Sequence, residues 1–355
     1  MAAKLKESDQ HYNHRLEELR VKATIGKYAG ISKVSNEKAV IAAVAVDQRG
    51  SLKKMLVADG RANVVDRDLD EIKTIVTDVL TPHASAILLD PEFGLDALQR
   101  RHGKGLFLGY EKTGYDNNVP GRIPEILEHW SARRLVEAGA DCVKVLLYYS
   151  PYEQQEINDQ KHVWVERIGD ECRALDVPYF VETVGYDVAG HGEASVEYAR
   201  LKPSIVKASM VEFSKPRYGV DVLKVEIPIS MRHVSGTRSF GGDAAYSKSE
   251  ALDRFREQTD VTELPFIYLS AGVPISEFTE SLELANEAES GYSGVLCGRA
   301  IWKEGIPVFA QQGPAAFRDW IGKTGVEYLA RVNALLGSAR PWTNRIERPA
   351  AQQRG

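Results

Sequence analysis

The sequence predicts an α/β chain folded as a (β/α)8 TIM barrel, with an extra N-terminal helix and a C-terminal helical extension. Short apolar runs alternate eight times with helical segments between residues 38 and 300. The runs are apolar along their whole length, as in parallel strands covered on both faces. Eight such units in about 260 residues is the length this barrel takes. An open doubly wound sheet would place a Gly-rich turn after the first strand, where this chain has Asp47-Gln48-Arg49-Gly50.

Residues 1–30 are charged and helix-prone, and read as a helix laid on the main body. The first strand is 38–46. Leu69, Ile72, Ile75, Val76 and Val79 recur at helical spacing through 66–80. A strand at 85–89 stops at Asp90-Pro91, and a short helix follows at 93–101. The third strand, 105–108, runs into Gly109-Tyr110-Glu111. A loop rich in Gly, Asn and Pro (114–120) leads to a helix at 124–138 closed by Gly139. Strand 141–148 precedes a long helix at 152–175, and strand 178–183 precedes a helix at 193–213. The sixth strand, 220–227, is punctuated by Pro228, then comes a long loop (230–242) and a helix at 247–258. Strand 264–269 ends in Ser270-Ala271-Gly272, with a helix at 276–288. Strand 294–296 ends in Cys297-Gly298-Arg299. A last helix at 314–336 packs outside or at an oligomer contact. Residues 1–340 read as one domain and 341–355 as a loose tail.

With 355 residues, 43% hydrophobic and 27% charged, the chain can bury a large core. A net charge of -5 and a pI near 6.0 point away from nucleic acid and anionic membranes. Cys142, Cys172 and Cys297 lie far apart and suit a reducing compartment. The opening residues are polar, and the longest apolar run, 39–46, has eight residues, short of a membrane span. A cytoplasmic protein is expected.

A barrel of this kind works at the C-terminal ends of its strands. Those ends are Asp47 and Gln48, Glu111, Lys144, Glu182, Lys224 and Glu226, Ser270, and Gly298-Arg299. Lys224 stands inside the apolar run Val222–Ile227, sharing a face with Val222 and Glu226. Burying an ammonium among apolar neighbours is costly and favours the neutral amine that attacks a carbonyl. A strand-end lysine can equally lay its stem on apolar surface and its head in water. Two lysines and a carboxylate on three successive strands favour imine chemistry with a ketone. Lys144 would disfavour a second ammonium at Lys224, and Glu182 would move the protons of dehydration and bond cleavage. Lys144 and Asp47 could hold hydroxyls. Ser270-Ala271-Gly272 and Cys297-Gly298-Arg299 close strands seven and eight, where barrels commonly hold a phosphate; simple turn glycines are the alternative.

At these residues the chain resembles the tagatose-1,6-bisphosphate aldolase family of class I aldolases. The matching stretches include Asp47-Gln48-Arg49-Gly50, Val143-Lys144, Phe180-Val181-Glu182, the run from Phe213 to Glu226, Tyr268–Val273 and Gly294–Ala300. The resemblance implies Lys224 as the Schiff-base lysine, Glu182 as acid/base, and Lys144 beside them. It implies Asp47, Gln48 and Arg49 as sugar-binding residues, and Leu269, Ser270, Gly272, Gly298 and Arg299 at a phosphate. The implied reaction cleaves a ketose 1,6-bisphosphate, tagatose 1,6-bisphosphate first, to dihydroxyacetone phosphate and glyceraldehyde 3-phosphate, with no cofactor and no metal. Related aldolases take 6-deoxy-6-sulfofructose 1-phosphate, which would need a cation such as Arg49 or one on loop 230–242. A non-catalytic sugar-phosphate sensor is the reading from another class. His11 with His14, and Asp187, His191 and Glu193, could suggest a metal but do not supply the strand-end set a metal-dependent aldolase needs. Gly322-Lys323-Thr324 lacks the first glycine of a phosphate loop, Phe317 standing there. A homo-oligomer is possible.

Overall fold

The computed structural model describes residues 21–112 and 120–350. Eight strands run parallel and close on themselves in chain order: β1 (Ile41–Ala45), β2 (Ala86–Leu89), β3 (Gly105–Gly109), β4 (Cys142–Tyr149), β5 (Tyr179–Gly185), β6 (Val222–Val225), β7 (Phe266–Tyr268) and β8 (Gly294–Cys297). The ring shuts where Val295 of β8 faces Ala42 of β1. This is the expected TIM barrel.

The reason the strands read as unbroken apolar runs is visible in the two cores. Ile41, Ala43, Ala45, Ala86, Leu88, Phe107, Cys142, Phe180, Val222, Ile267 and Leu296 fill the barrel interior. The alternate residues, Ala42, Val44, Ile87, Leu106, Leu108, Val143, Val181, Leu223 and Val295, pack under the helices. Successive side chains point to opposite faces, and here both faces are dry. Phe107 and Phe180 meet edge to face across the interior, 4.9 Å between centroids.

The outer layer comprises α1 (Ile25–Lys33), α2 (Gly50–Ala58), α3 (Asp66–Leu80), α4 (Ala132–Glu137), α5 (Gln155–Ala174), α6 (Val196–Phe213), α7 (Lys248–Asp260) and α8 (Ile275–Glu287). Ser195 caps α6 by accepting from the Tyr198 N–H at 3.1 Å. Ser247 and Glu250 form a capping box on α7.

Some elements differ from expectation. Only a 3-10 turn, Asp96–Arg100, lies between β2 and β3, because the Asp90 carboxylate accepts from the Glu92 and Phe93 N–H groups and holds that loop tight. The helix expected at 124–138 starts at Ala132. Residues before it are tied back to the end of β3 through Lys112 N–H to Glu125 O (2.8 Å) and Leu127 N–H to Tyr110 O (3.1 Å). α2 was not foreseen. The last helix comprises Pro314–Trp320 and Val326–Leu335, joined by a π-helical turn at Ile321–Gly325 that contains Gly322-Lys323-Thr324. The N-terminal helix is Ile25–Lys33; the part expected before residue 21, with His11 and His14, lies outside the described residues, as does most of loop 114–120.

The segment read as a loose tail is packed as far as it is described. Ile346–Glu347 pairs in parallel with Val21–Lys22. Trp342 is 1% exposed, donates to Ser35 Oγ at 2.9 Å and meets Tyr28 edge-on at 4.9 Å. With Ile31, Val34 and Ile346 it joins the interior cluster, so α1 and the C-terminal strand seal one end of the barrel. A small sequence cluster of aromatic and aliphatic residues outweighs the polar composition around it. Trp342→Ala should cost about 3–5 kcal/mol through the cavity it leaves, read as a lower urea midpoint with unchanged slope; a shift under about 1 kcal/mol would mean that this end is not part of the cooperative core.

Candidate active site

The period of two that builds the interior also delivers the site. Above Cys142, Phe180 and Val222, two residues further along each strand, come Lys144, Glu182 and Lys224 on the same inner face. Glu182 and Lys224 are register partners on neighbouring strands. Lys224 Nζ lies 2.9 Å and Lys144 Nζ 2.7 Å from the same oxygen, Glu182 Oε2. Lys144 also donates to Asp47 Oδ2 (2.9 Å) and Glu111 Oε1 (2.8 Å). All five side chains are buried, Lys144 completely.

Burial works against every one of these charges, and the neighbours decide which survive. Lys144 is desolvated, yet Asp47, Glu111 and Glu182 hold its ammonium well above the usual lysine range. Asp47 is likewise opposed by burial, but Lys144 and then Lys224 hold its carboxyl well below the usual range. Glu182 is lowered for the same reason by the same two lysines. Glu111 goes the other way although it touches Lys144: burial and the nearby Asp47 charge outweigh the ammonium and raise its carboxyl. Three carboxyls share one buried ammonium, and Glu111 is the least compensated.

A cavity of about 470 Å³ opens over this cluster. Of the residues expected in the site, Asp47, Gln48, Glu182, Lys224, Leu269, Ser270, Gly272, Gly298 and Arg299 line it. Lys144 sits behind the wall and reaches the site through its partners. Arg49 is not in the wall: its guanidinium is 6% exposed, paired with Glu92 and Asp90 and donating to the Glu111 carbonyl. Gln48 donates to Asp47 Oδ1 at 3.1 Å. Glu226 is also at the wall, where it accepts from the Gly185 N–H at 2.7 Å and pairs with Lys202 at 3.2 Å.

Two glycines shape the far side. Gly272 has φ +78, and a Cβ there would sit 2.9 Å from the Arg299 guanidinium carbon, so glycine lets Arg299 lie against the loop after β7. Arg299 reaches the Ala271 carbonyl at 3.4 Å. A Cβ on Gly298 would come within 2.5 Å of the Ala45 carbonyl oxygen.

Wall residues the sequence reading left unassigned include Glu111, Lys54, Leu146, Tyr148 and Glu193. Leu146 and Tyr148 were findable, since the period of two continues from Lys144 and β4 runs on to Tyr149. Lys54 came with the unforeseen helix α2. In the loop after β5, His191 pairs with Asp187 while Glu193 lines the cavity. Among the described residues no cluster of three His, Cys, Asp or Glu side chains could hold a metal, and no helix is long and apolar enough to cross a membrane. On loop 230–242, Arg238 is paired with Glu280 and Glu283, and Arg232 lines a neighbouring recess of about 310 Å³.

A closed eight-stranded barrel with a lysine, a carboxylate and a second lysine converging at its mouth defines an enzyme of the carbon–carbon lyase kind. The description DeoC/LacD family aldolase matches residues 41–304. Tagatose 1,6-diphosphate aldolase of Listeria monocytogenes is 50% identical over 325 residues, 91% of this chain and 95% of that protein. Tagatose 1,6-diphosphate aldolase 2 of Enterococcus faecalis is 47% identical over 326 residues, covering 91% and 98%. The chain belongs to the DeoC/LacD family of aldolases. In fold it is similar to fructose-bisphosphate aldolase of Plasmodium falciparum (TM-score 0.62, 13% identity, 93% of this chain and 99% of that one) and to a Schiff-base-forming fructose-1,6-bisphosphate aldolase (TM-score 0.55, 15% identity, 86% and 98%).

The charge cluster makes a stability prediction with opposite signs in two proteins. Asp47 and Glu182 are depressed in the folded state, so their contribution is present above the ordinary carboxylate values of 3.8 and 4.5 and is lost as pH falls through the depressed ones. Wild-type melting temperature should therefore drop below about pH 4. Lys144→Met removes the shared cation and should cost roughly 3–5 kcal/mol at pH 7. With all three carboxyls then raised by burial, its melting temperature should climb more steeply as pH falls from 7 to 5 than that of the wild type, in which Glu111 alone of the three is raised; parallel curves would refute the shared-cation account.

Proposed function

We propose that this chain is a class I aldolase that reversibly cleaves a ketose 1,6-bisphosphate, tagatose 1,6-bisphosphate foremost, into dihydroxyacetone phosphate and glyceraldehyde 3-phosphate. The observation that carries this reading is the single Glu182 oxygen held between two lysine ammonium groups, 2.9 Å from Lys224 and 2.7 Å from Lys144. The names of the relatives at 50% and 47% identity supply the substrate class.

In this reading Lys224 passes a proton to the adjacent Glu182, and the freed amine adds to the C2 carbonyl of the open-chain sugar. Glu182 returns that proton to the departing hydroxyl as the carbinolamine loses water, leaving a protonated imine. The imine withdraws electrons as the C3–C4 bond breaks, and Glu182, directly or through a water, takes the proton of the C4 hydroxyl. The aldehyde leaves, the enamine is protonated at C3, and hydrolysis frees dihydroxyacetone phosphate and Lys224. Lys144 stays an ammonium throughout, because its three carboxylate neighbours outweigh its burial, and it steadies the ionised form of Glu182. Asp47 and Gln48 are placed to hold sugar hydroxyls. Ser270, Gly272, Gly298 and Arg299 form the end suited to the C1 phosphate, with the backbone of Leu269 fixed by its hydrogen bond to Val225 (2.9 Å). No step calls for a cofactor. A soluble metabolic role in the cytoplasm fits this chemistry.

Incubating the protein with dihydroxyacetone phosphate and borohydride, then mapping peptides by mass, should find a reduced adduct on Lys224 and none in Lys224→Met. An adduct on Lys144 would keep the reaction class and reverse the two lysines. Absence of any adduct, with phosphate binding intact, would discard the aldolase mechanism.

A further inference from the structure

Glu111 closes β3 at the mouth and has no role in the mechanism above. Its main chain is pinned from two sides, bridging to Ile126 and accepting from the Arg49 guanidinium. Its carboxyl is 2% exposed and forms part of the cavity wall. Oε1 accepts from Lys144 at 2.8 Å, while Oε2 is buried with no hydrogen-bond partner among the described residues. A buried carboxyl oxygen left unpaired is costly, and such groups in a binding cavity are normally completed by the ligand.

Burial raises the Glu111 carboxyl while Asp47 and Glu182 are held down. Oε1 is occupied by Lys144, which leaves Oε2 as the open position for a substrate hydroxyl. Position selects the part of the substrate it meets. β3 lies four strands from β7, across the ring from the loop that carries Ser270 and Gly272. A sugar with its C1 phosphate at that loop and its C2 at Lys224 extends its remaining carbons toward β3.

We propose that Glu111 is a substrate-reading residue of this site, its Oε2 hydrogen-bonded to a hydroxyl group on the aldehyde-derived half of the ketose bisphosphate. The proposal rests on the aldolase reading of the site. The competing role is a counter-charge that only positions Lys144.

Glu111→Gln keeps an acceptor for Lys144 and a polar N–H group at the Oε2 position, whereas Glu111→Leu removes both. The Gln variant should keep kcat/KM for bisphosphate cleavage within about 3-fold, and the Leu variant should lose roughly 10- to 100-fold, appearing in the synthetic direction as a raised KM for glyceraldehyde 3-phosphate. Borohydride trapping of dihydroxyacetone phosphate on Lys224 should proceed as in wild type in both. An unchanged aldehyde KM in Glu111→Leu overturns the proposal. So does loss of trapping together with cleavage, which marks Glu111 as positioning Lys144 only. Should the Leu variant not fold, Glu111→Ala takes its place: its aldehyde KM should rise as predicted for the Leu variant, and an unchanged aldehyde KM overturns the proposal. If wild-type protein itself yields no adduct, the aldolase reading has failed, and this assignment falls with it.

Discussion

One buried ammonium sets the terms for the whole barrel mouth. Lys144 is wholly enclosed, and its three carboxylate neighbours come from β4's surroundings on both sides: the end of β1, the end of β3 and the middle of β5. A charge buried that deeply is tolerated only when it is paired on nearly every side. The pairing then propagates outward. It keeps Asp47 and Glu182 ionised, and an ionised Glu182 is what stands ready beside Lys224. Lys73 works the same way one shell further out, tying the Val46 and Gln48 carbonyls (2.6 and 2.8 Å) and Asp90 (2.6 Å), so that the turn after β1 which presents Asp47 is fixed.

The fold was legible because the alternation of faces leaves a direct mark on sequence. A strand dry on both sides shows an unbroken apolar run, and a polar residue interrupting such a run must be either paired or useful. Lys144, Glu182 and Lys224 are such interruptions, and strand parity places each of them inward over Cys142, Phe180 and Val222. The same parity leads to Leu146 and Tyr148, inside the expected strand 141–148, and on to Val184 on the cavity wall. The limit set for strand 178–183 ended one residue before Val184, since hydrogen bonding continues β5 to Gly185.

What sequence left hidden depends on contacts between distant residues. Arg49 sits in a motif rich in site residues, yet Glu92 and Asp90, more than forty positions away, take its guanidinium. Nothing local distinguishes it from Gln48. The C-terminal segment is polar and proline-bearing, and only the pocket formed by Tyr28, Ile31, Val34 and Ser35 turns Trp342 into a core residue. Helix α2 begins at a glycine without a side-chain cap, so no start signal announced it.

The division of labour among the carboxyls follows from the same geometry. Asp47 and Glu182 each feel both lysines, whereas Glu111 feels Lys144 and Arg49 but not Lys224, and faces its burial and the Asp47 charge. A single ring of like residues around one cation thus holds carboxyls shifted in opposite directions. Carbonyl addition, dehydration and carbon–carbon cleavage need a proton acceptor and a proton donor at fixed places in one cavity. In the proposed reaction Glu182 serves as both in turn, and Lys144, buried at the junction of β1, β3, β4 and β5, holds it ready in its ionised form beside Lys224.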